Sequence, residues 1–141
     1  MFGGMSFGQN LLGGTSLLKF SEVQQILNAQ ALCGSEMLDD IMVHSVCGAD
    51  LLSDVLAFCK ENTLLLTGIT NLQVIRTVEL SDLIGIVFVR GKKPDQDVVK
   101  AAKDKNIPVL VTKCTMYEAC GLLYATGLPG CSEKKEGLLN A

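Results

Sequence analysis

The stretch Leu83–Gly91, LIGIVFVRG, is apolar almost throughout and rich in β-branched residues. A strand with one face in water alternates apolar and polar side chains; a strand without that alternation is buried on both faces. Strands of this kind belong to parallel sheets, whose crossover helices cover the sheet from both sides. This one run therefore restricts the fold more than any other part of the chain, and its neighbours agree with it. TLLLT (63–67) is a second buried strand, IPVLVT (107–112) follows it, and IMVHSVC (41–47) and a short segment near Ala31–Cys33 read as strands earlier in the chain.

Between these runs the apolar positions take helical spacing. SEVQQILNA begins with Ser21 and Gln24 in a capping-box relation and places Val23, Ile26 and Leu27 on one face. Gly48 and Asp50 open a helix through LLSDVLAFC. Thr70 and Gln73 form a second capping box, ahead of Leu72, Ile75 and Val78. KPDQDVVKAAKDKN starts with Pro94 and two acids and ends at Asn106. Thr115 and Glu118 form a third box, Met116, Ala119, Cys120 and Leu123 give an i, i+3, i+4, i+7 stripe, and Gly127 is placed as a C-terminal cap. Strand and helix thus alternate four times after an extra helix and short strand. The expected fold class is α/β: a single three-layer domain with a mostly parallel sheet of about five strands and helices on both faces.

The 141 residues suit one domain, and 48% hydrophobic content supplies a core without disulfides or a metal. The expected boundaries are a flexible Gly-rich tail over 1–19, the α/β domain over 20–130 and a flexible C-terminal tail over 131–141. A net charge of −3 and the absence of Trp argue against a nucleic-acid partner. No stretch resembles a secretory signal or a membrane span. None of the six cysteines lies in a Cys-x-x-Cys pair, which favours reduced thiols in a cytoplasmic protein.

In a sheet of this type the strand C-termini and the following helix N-termini share one edge, where ligands bind. That edge should hold Cys47, Gly48 and Asp50; Thr67, Gly68, Thr70 and Asn71; Arg90, Gly91, Lys92 and Lys93; and Thr112, Lys113, Cys114 and Thr115. Its four cations, hydroxyls and helix N-termini suit a small anion such as a phosphate, nucleotide or carboxylate. Thr67, Gly68, Asn71, Arg90, Gly91, Thr112 and Thr115 are the candidate ligand-binding residues, with Arg90 supplying fixed charge and Thr67 and Asn71 orienting hydrogen bonds. The same residue types also serve as ordinary caps and turns.

Other chemistries find less support. GIVFVRGKK lacks the spacing and the Ser or Thr of a phosphate-binding loop. His44 and Cys47 would point to opposite faces of a strand, so with Cys33 they make no metal site. Cys47 and Cys114 lie near helix N-termini, where thiolates are favoured. Asp50 and Asp54 share a helix face without a nucleophile beside them. No catalytic residue, cofactor or metal ligand is assigned.

DLLSDVLAF, TLLLTGITNLQVIRTVEL and IGIVFVRGKKPDQDVVKAAKDKNIPVLVTKCTMYEACGLLYATGL, in this order and spacing, resemble the DRTGG family, which is also similar to the N-terminal domain of HPr kinase/phosphorylase. The resemblance runs from about Phe20 to Gly130. Thr70-Asn71 stands where the family has Asp-Arg, and Val89-Arg90-Gly91 where it has Thr-Gly-Gly, so only the last glycine and the following Lys-Pro stay close to the pattern. Members occur beside nucleotide-sensing CBS domains, in acyl-phosphate enzymes and with kinase domains. The resemblance therefore implies a non-enzymatic regulatory or dimerising module: a homodimer with a small anionic effector, or alternatively a scaffold for a protein partner in a kinase or redox enzyme system.

Overall fold

The computed structural model describes residues 17–131. Nearly all of the expected N-terminal tail and all but Cys131 of the C-terminal one lie outside the described residues. Strands β1 (Leu18–Lys19), β2 (Gln30–Cys33), β3 (Met42–Val43), β4 (Ser45–Gly48), β5 (Thr63–Thr67), β6 (Gly85–Phe88) and β7 (Val109–Val111) are joined by helices α1 (Phe20–Ile26), α2 (Leu52–Phe58), α3 (Leu72–Leu80), α4 (Gln96–Asp104) and α5 (Met116–Tyr124). A 3-10 helix over Ser35–Asp40 lies between β2 and β3.

Five strands form one sheet in the order β2-β7-β6-β5-β4. β4 through β7 are parallel, and β2 closes the far edge antiparallel to β7. Each step from β4 to β7 moves the same way across the sheet, so the handedness of crossovers sends α2, α3 and α4 to one face. Their Val55, Val74, Ile75, Val78, Val98 and Ala102 pack on Leu65, Ile86, Phe88, Val109 and Val111. The alternate residues Leu64, Leu66, Val87, Val89 and Leu110 face the other way, onto Phe20, Val23 and Leu27 from α1 and its end, and onto Ala119 and Leu123 of α5. This is the three-layer arrangement expected from strands with no polar face.

Local starts and stops differ from the expectation at several points. IMVHSVC is two strands, not one: the His44 N–H bonds to the Asn62 carbonyl, β3 pairs with β1 in a separate two-stranded ladder, and β4 joins the main sheet. The first helix starts at Phe20 rather than after Ser21, with the Glu22 carboxylate accepting from the Lys19 N–H at 2.8 Å. At α3 the cap is Asn71, whose side chain accepts from the Gln73 N–H at 3.0 Å, and the Thr70–Gln73 box is not made. Only the Thr115–Glu118 box forms as expected. Propensity locates a helix start to within a residue or two; which oxygen reaches the free N–H groups depends on how the chain enters the helix.

Candidate functional site

The strand-end edge falls into two adjoining parts. The first is the turn after β5. Thr67 is fully buried, and its hydroxyl donates to Asp50 Oδ1 at 3.1 Å; the Gly68 N–H donates to the same oxygen at 2.8 Å, and the Ile69 N–H donates to Thr67 Oγ1 at 3.1 Å. Asp50, expected to open α2, instead ties the β4–α2 connection to this turn, and α2 begins at Leu52 with no side-chain cap bond. The Asp50 carboxylate thus takes two of the donors an anion would otherwise meet.

Arg90 lies across this turn. A Cβ at Gly68 would stand 3.0 Å from Arg90 Nη2, so the missing side chain is what lets the guanidinium lie there. Arg90 itself has φ 62° and Gly91 φ 67°. The other described non-glycine residues at positive φ are Asn28, Asn62, Asp82 and Asn106, types whose short polar side chains tolerate the left-handed region. Arginine has no such excuse. The strained turn is pinned by the Arg90 N–H to the Cys114 carbonyl and the Gly91 N–H to the Thr112 carbonyl, both 2.8 Å. Among the described residues the one salt bridge is Lys105–Glu79, at a distant half-exposed position, and Arg90 makes none; the Asp50 carboxylate is nevertheless its neighbour, since Asp50 Oδ1 and Arg90 Nη2 stand 3.6 and 3.0 Å from the point a Gly68 Cβ would occupy.

The second part is a cavity of about 480 Å³ between the end of α1 and the turn after β7, lined by Asn28, Gln30, Gly91, Lys93, Thr112 and Lys113 among others. Thr112 is buried; its hydroxyl donates to the Leu27 carbonyl at 2.7 Å and accepts from the Cys114 N–H at 3.2 Å, fastening α1 to the sheet. Of the candidate residues, Gly91 and Thr112 line this cavity, Thr67, Gly68 and Arg90 form the neighbouring turn, and Asn71 and Thr115 cap α3 and α5. Lys93 and Lys113, counted among the edge cations but not chosen, are wall residues. Asn28 and Gln30 had no signal in sequence, since they arrive from the turn after α1 and the first residue of β2.

The titration anomalies lie elsewhere. Hydrogen bonding from Cys59 pushes the Cys47 thiol down to about 7 against the opposing effect of burial, while the same partnership pushes Cys59 up. Burial raises Cys33, Cys120 and Cys131.

The architecture is that of an α/β domain with a cationic strand-end edge. The sequence profile of the DRTGG domain matches residues 22–125, and the chain belongs to that family. Among solved structures it is similar to the CBS and DRTGG domains of the regulatory region of Clostridium perfringens pyrophosphatase, complexed with the activator diadenosine tetraphosphate, with a TM-score of 0.63 and 18% identity. The match covers 79% of this chain and 47% of that one. No curated protein matches the chain. Among the described residues no helix is long and apolar enough to cross a membrane.

Proposed function

We propose that the chain is a non-enzymatic regulatory module that takes a small anionic, nucleotide- or phosphate-like effector at the strand-end edge. The observation that carries this reading is Arg90, held at φ 62° where glycine would be less strained and without a salt bridge among the described residues. Backbone strain that persists at a cationic pocket rim is a functional signal when no packing role requires that residue type. Arg90, Lys93 and Lys113 supply charge, Gly91 allows close approach, and Thr67, Gly68 and Thr112 hold the turns in position. A relative's regulatory region in complex with a dinucleotide activator supports the choice of ligand class.

A thermal-shift series with ATP, ADP, diadenosine tetraphosphate, coenzyme A and acetyl phosphate tests it. A ligand at 100 times its Kd adds about 2.7 kcal/mol to stability, which is a shift of several degrees for a domain of this size. The shift should disappear in Arg90→Ala and Lys113→Ala. A flat response from folded protein would move the assignment to the second reading, an interface with a protein partner. That reading is favoured by Tyr117 and Tyr124, 87% and 62% exposed beside an apolar cleft of about 310 Å³ that also includes Val46, Leu128 and Pro129.

A further inference from the structure

Cys47, Cys59 and Cys131 lie far apart in sequence, yet their sulfurs all fall within 4.8 Å of one another, and Cys59 and Cys131 are 3.7 Å apart. Topology brings them together. Cys47 sits on β4 facing the α2–α4 layer. Val46 pairs in parallel with Gly130 beyond the edge of the sheet, so Cys131 comes to lie beside Cys47 on the same face. Cys59 is the C-terminal cap of α2, the helix that covers this corner.

The remaining cysteines behave as separate small core residues. Cys33 donates to the Ile107 carbonyl at 3.4 Å, Cys114 lies 3.9 Å from the Leu27 carbonyl, and Cys120 fills the space left by Gly48. The trio instead converges on one point, and among the described residues it is the only group of three or more His, Cys, Asp or Glu side chains with that geometry. Tetrahedral zinc with Zn–S bonds of about 2.3 Å sets its sulfurs roughly 3.8 Å apart. The Cys59–Cys131 separation already matches that edge, and the other two need only small side-chain rotations. A disulfide, by contrast, requires two sulfurs at about 2.05 Å and leaves the third without a role. Cys47 and Cys59 are half-buried, which leaves an approach from solvent.

We propose that Cys47, Cys59 and Cys131 bind a zinc-like divalent cation through three thiolates, with the fourth position open to water or an incoming ligand. Three Zn–S bonds form and the thiol protons pass to solvent, so no oxidant or reductant is involved. The ion would fasten the segment after α5 to the outer edge of β4 and to α2, where the Val46–Gly130 bridge and the Val46 N–H to Pro129 carbonyl bond now hold it.

The test is a Co²⁺ titration of the reduced full chain under anaerobic conditions. One equivalent should give thiolate-to-cobalt charge transfer and tetrahedral d–d bands, and Zn²⁺ should displace them and raise the Tm. Loss of a partner outside the coordination shell weakens metal sites by about 10–100-fold, so Cys47→Ser, Cys59→Ser or Cys131→Ser should each weaken Co²⁺ binding by more than roughly 100-fold. Cys33→Ser should leave it intact. Native alkylation of the wild type, read by mass spectrometry, covers the case of variants that do not fold: Zn²⁺ should protect these three cysteines and not Cys33. Absence of a tetrahedral spectrum, a spectrum surviving in the three variants, no protection, or a Cys59–Cys131 disulfide that persists in reduced glutathione would overturn the proposal.

Discussion

At the strand-end edge Asp50 receives the Gly68 N–H and the Thr67 hydroxyl, and Thr112 joins the Leu27 carbonyl to the Cys114 N–H. At the outer edge of β4 three sulfurs face one another, joined only by weak thiol contacts. Both corners lie at the margin of the sheet, one at the strand C-termini and one beside the edge strand β4. The first uses strong oxygen and nitrogen groups that satisfy one another, so its polar atoms are structural. The second uses soft atoms that can be desolvated at little penalty and hold a high affinity for metal in reserve. Full hydrogen bonding therefore marks the scaffold, and convergence without strong partners marks chemistry.

Reactivity gives the largest expected contrast. A thiol pushed down to about 7 gains thiolate as the pH rises through neutrality, whereas Cys33 and Cys120, pushed up by burial, remain protonated there. In metal-free protein at pH 7, Cys47 should be alkylated by iodoacetamide at least about tenfold faster than either. Its rate should fall as the pH is lowered to 6. Equal rates for all three, followed by peptide mass spectrometry, would erase the distinction between the two corners.

Thr112→Val tests the scaffold side. It strips a buried hydroxyl that serves two backbone groups, and urea unfolding should record a loss of about 1–3 kcal/mol. Asp50→Ala should lose less, about 0.5–1.5 kcal/mol, because water reaches its partners once the exposed carboxylate is gone. Cys47→Ser or Cys59→Ser, measured with chelator present, should change stability by less than about 1 kcal/mol. If these thiol substitutions prove as damaging as Thr112→Val without metal, the trio is packing and nothing more.

Arg90→Gly should have the smallest effect on stability. It relieves a left-handed penalty of about 1–2 kcal/mol and adds about 0.5–1 kcal/mol of chain entropy, so the Tm should hold or rise slightly. Any nucleotide-induced shift should vanish at the same time. A clear fall in Tm would reassign Arg90 to the scaffold.

Much of the fold was legible because burial on two faces leaves a mark that needs no tertiary knowledge: Leu64, Leu65 and Leu66 cannot all be apolar on a half-exposed strand. The strand-end edge was legible for a related reason, since strand order and helix starts together dictate which turns meet. Arg90 and Gly68 were both chosen from that edge, but their mutual dependence was invisible, because it turns on a few ångströms between a guanidinium and an absent Cβ. His44 broke the first long strand because its N–H found Asn62, a partner 18 residues away.

The thiol corner was not legible at all. Sequence weighed Cys47 against His44 and Cys33, its neighbours along the chain, and found no metal site. The parallel bridge at Gly130 and the end of α2 set Cys131 and Cys59 beside it instead. Periodic hydrophobicity is a local property repeated many times, so the sequence alone determined the layers, the strand–helix alternation and the edge on which the helix starts and turn cations gather. Convergence of single side chains is set by how far crossovers carry the chain and where its last segment docks, so only the tertiary structure decided which turn donors Asp50 engages, which lysines line the cavity and which three cysteines meet.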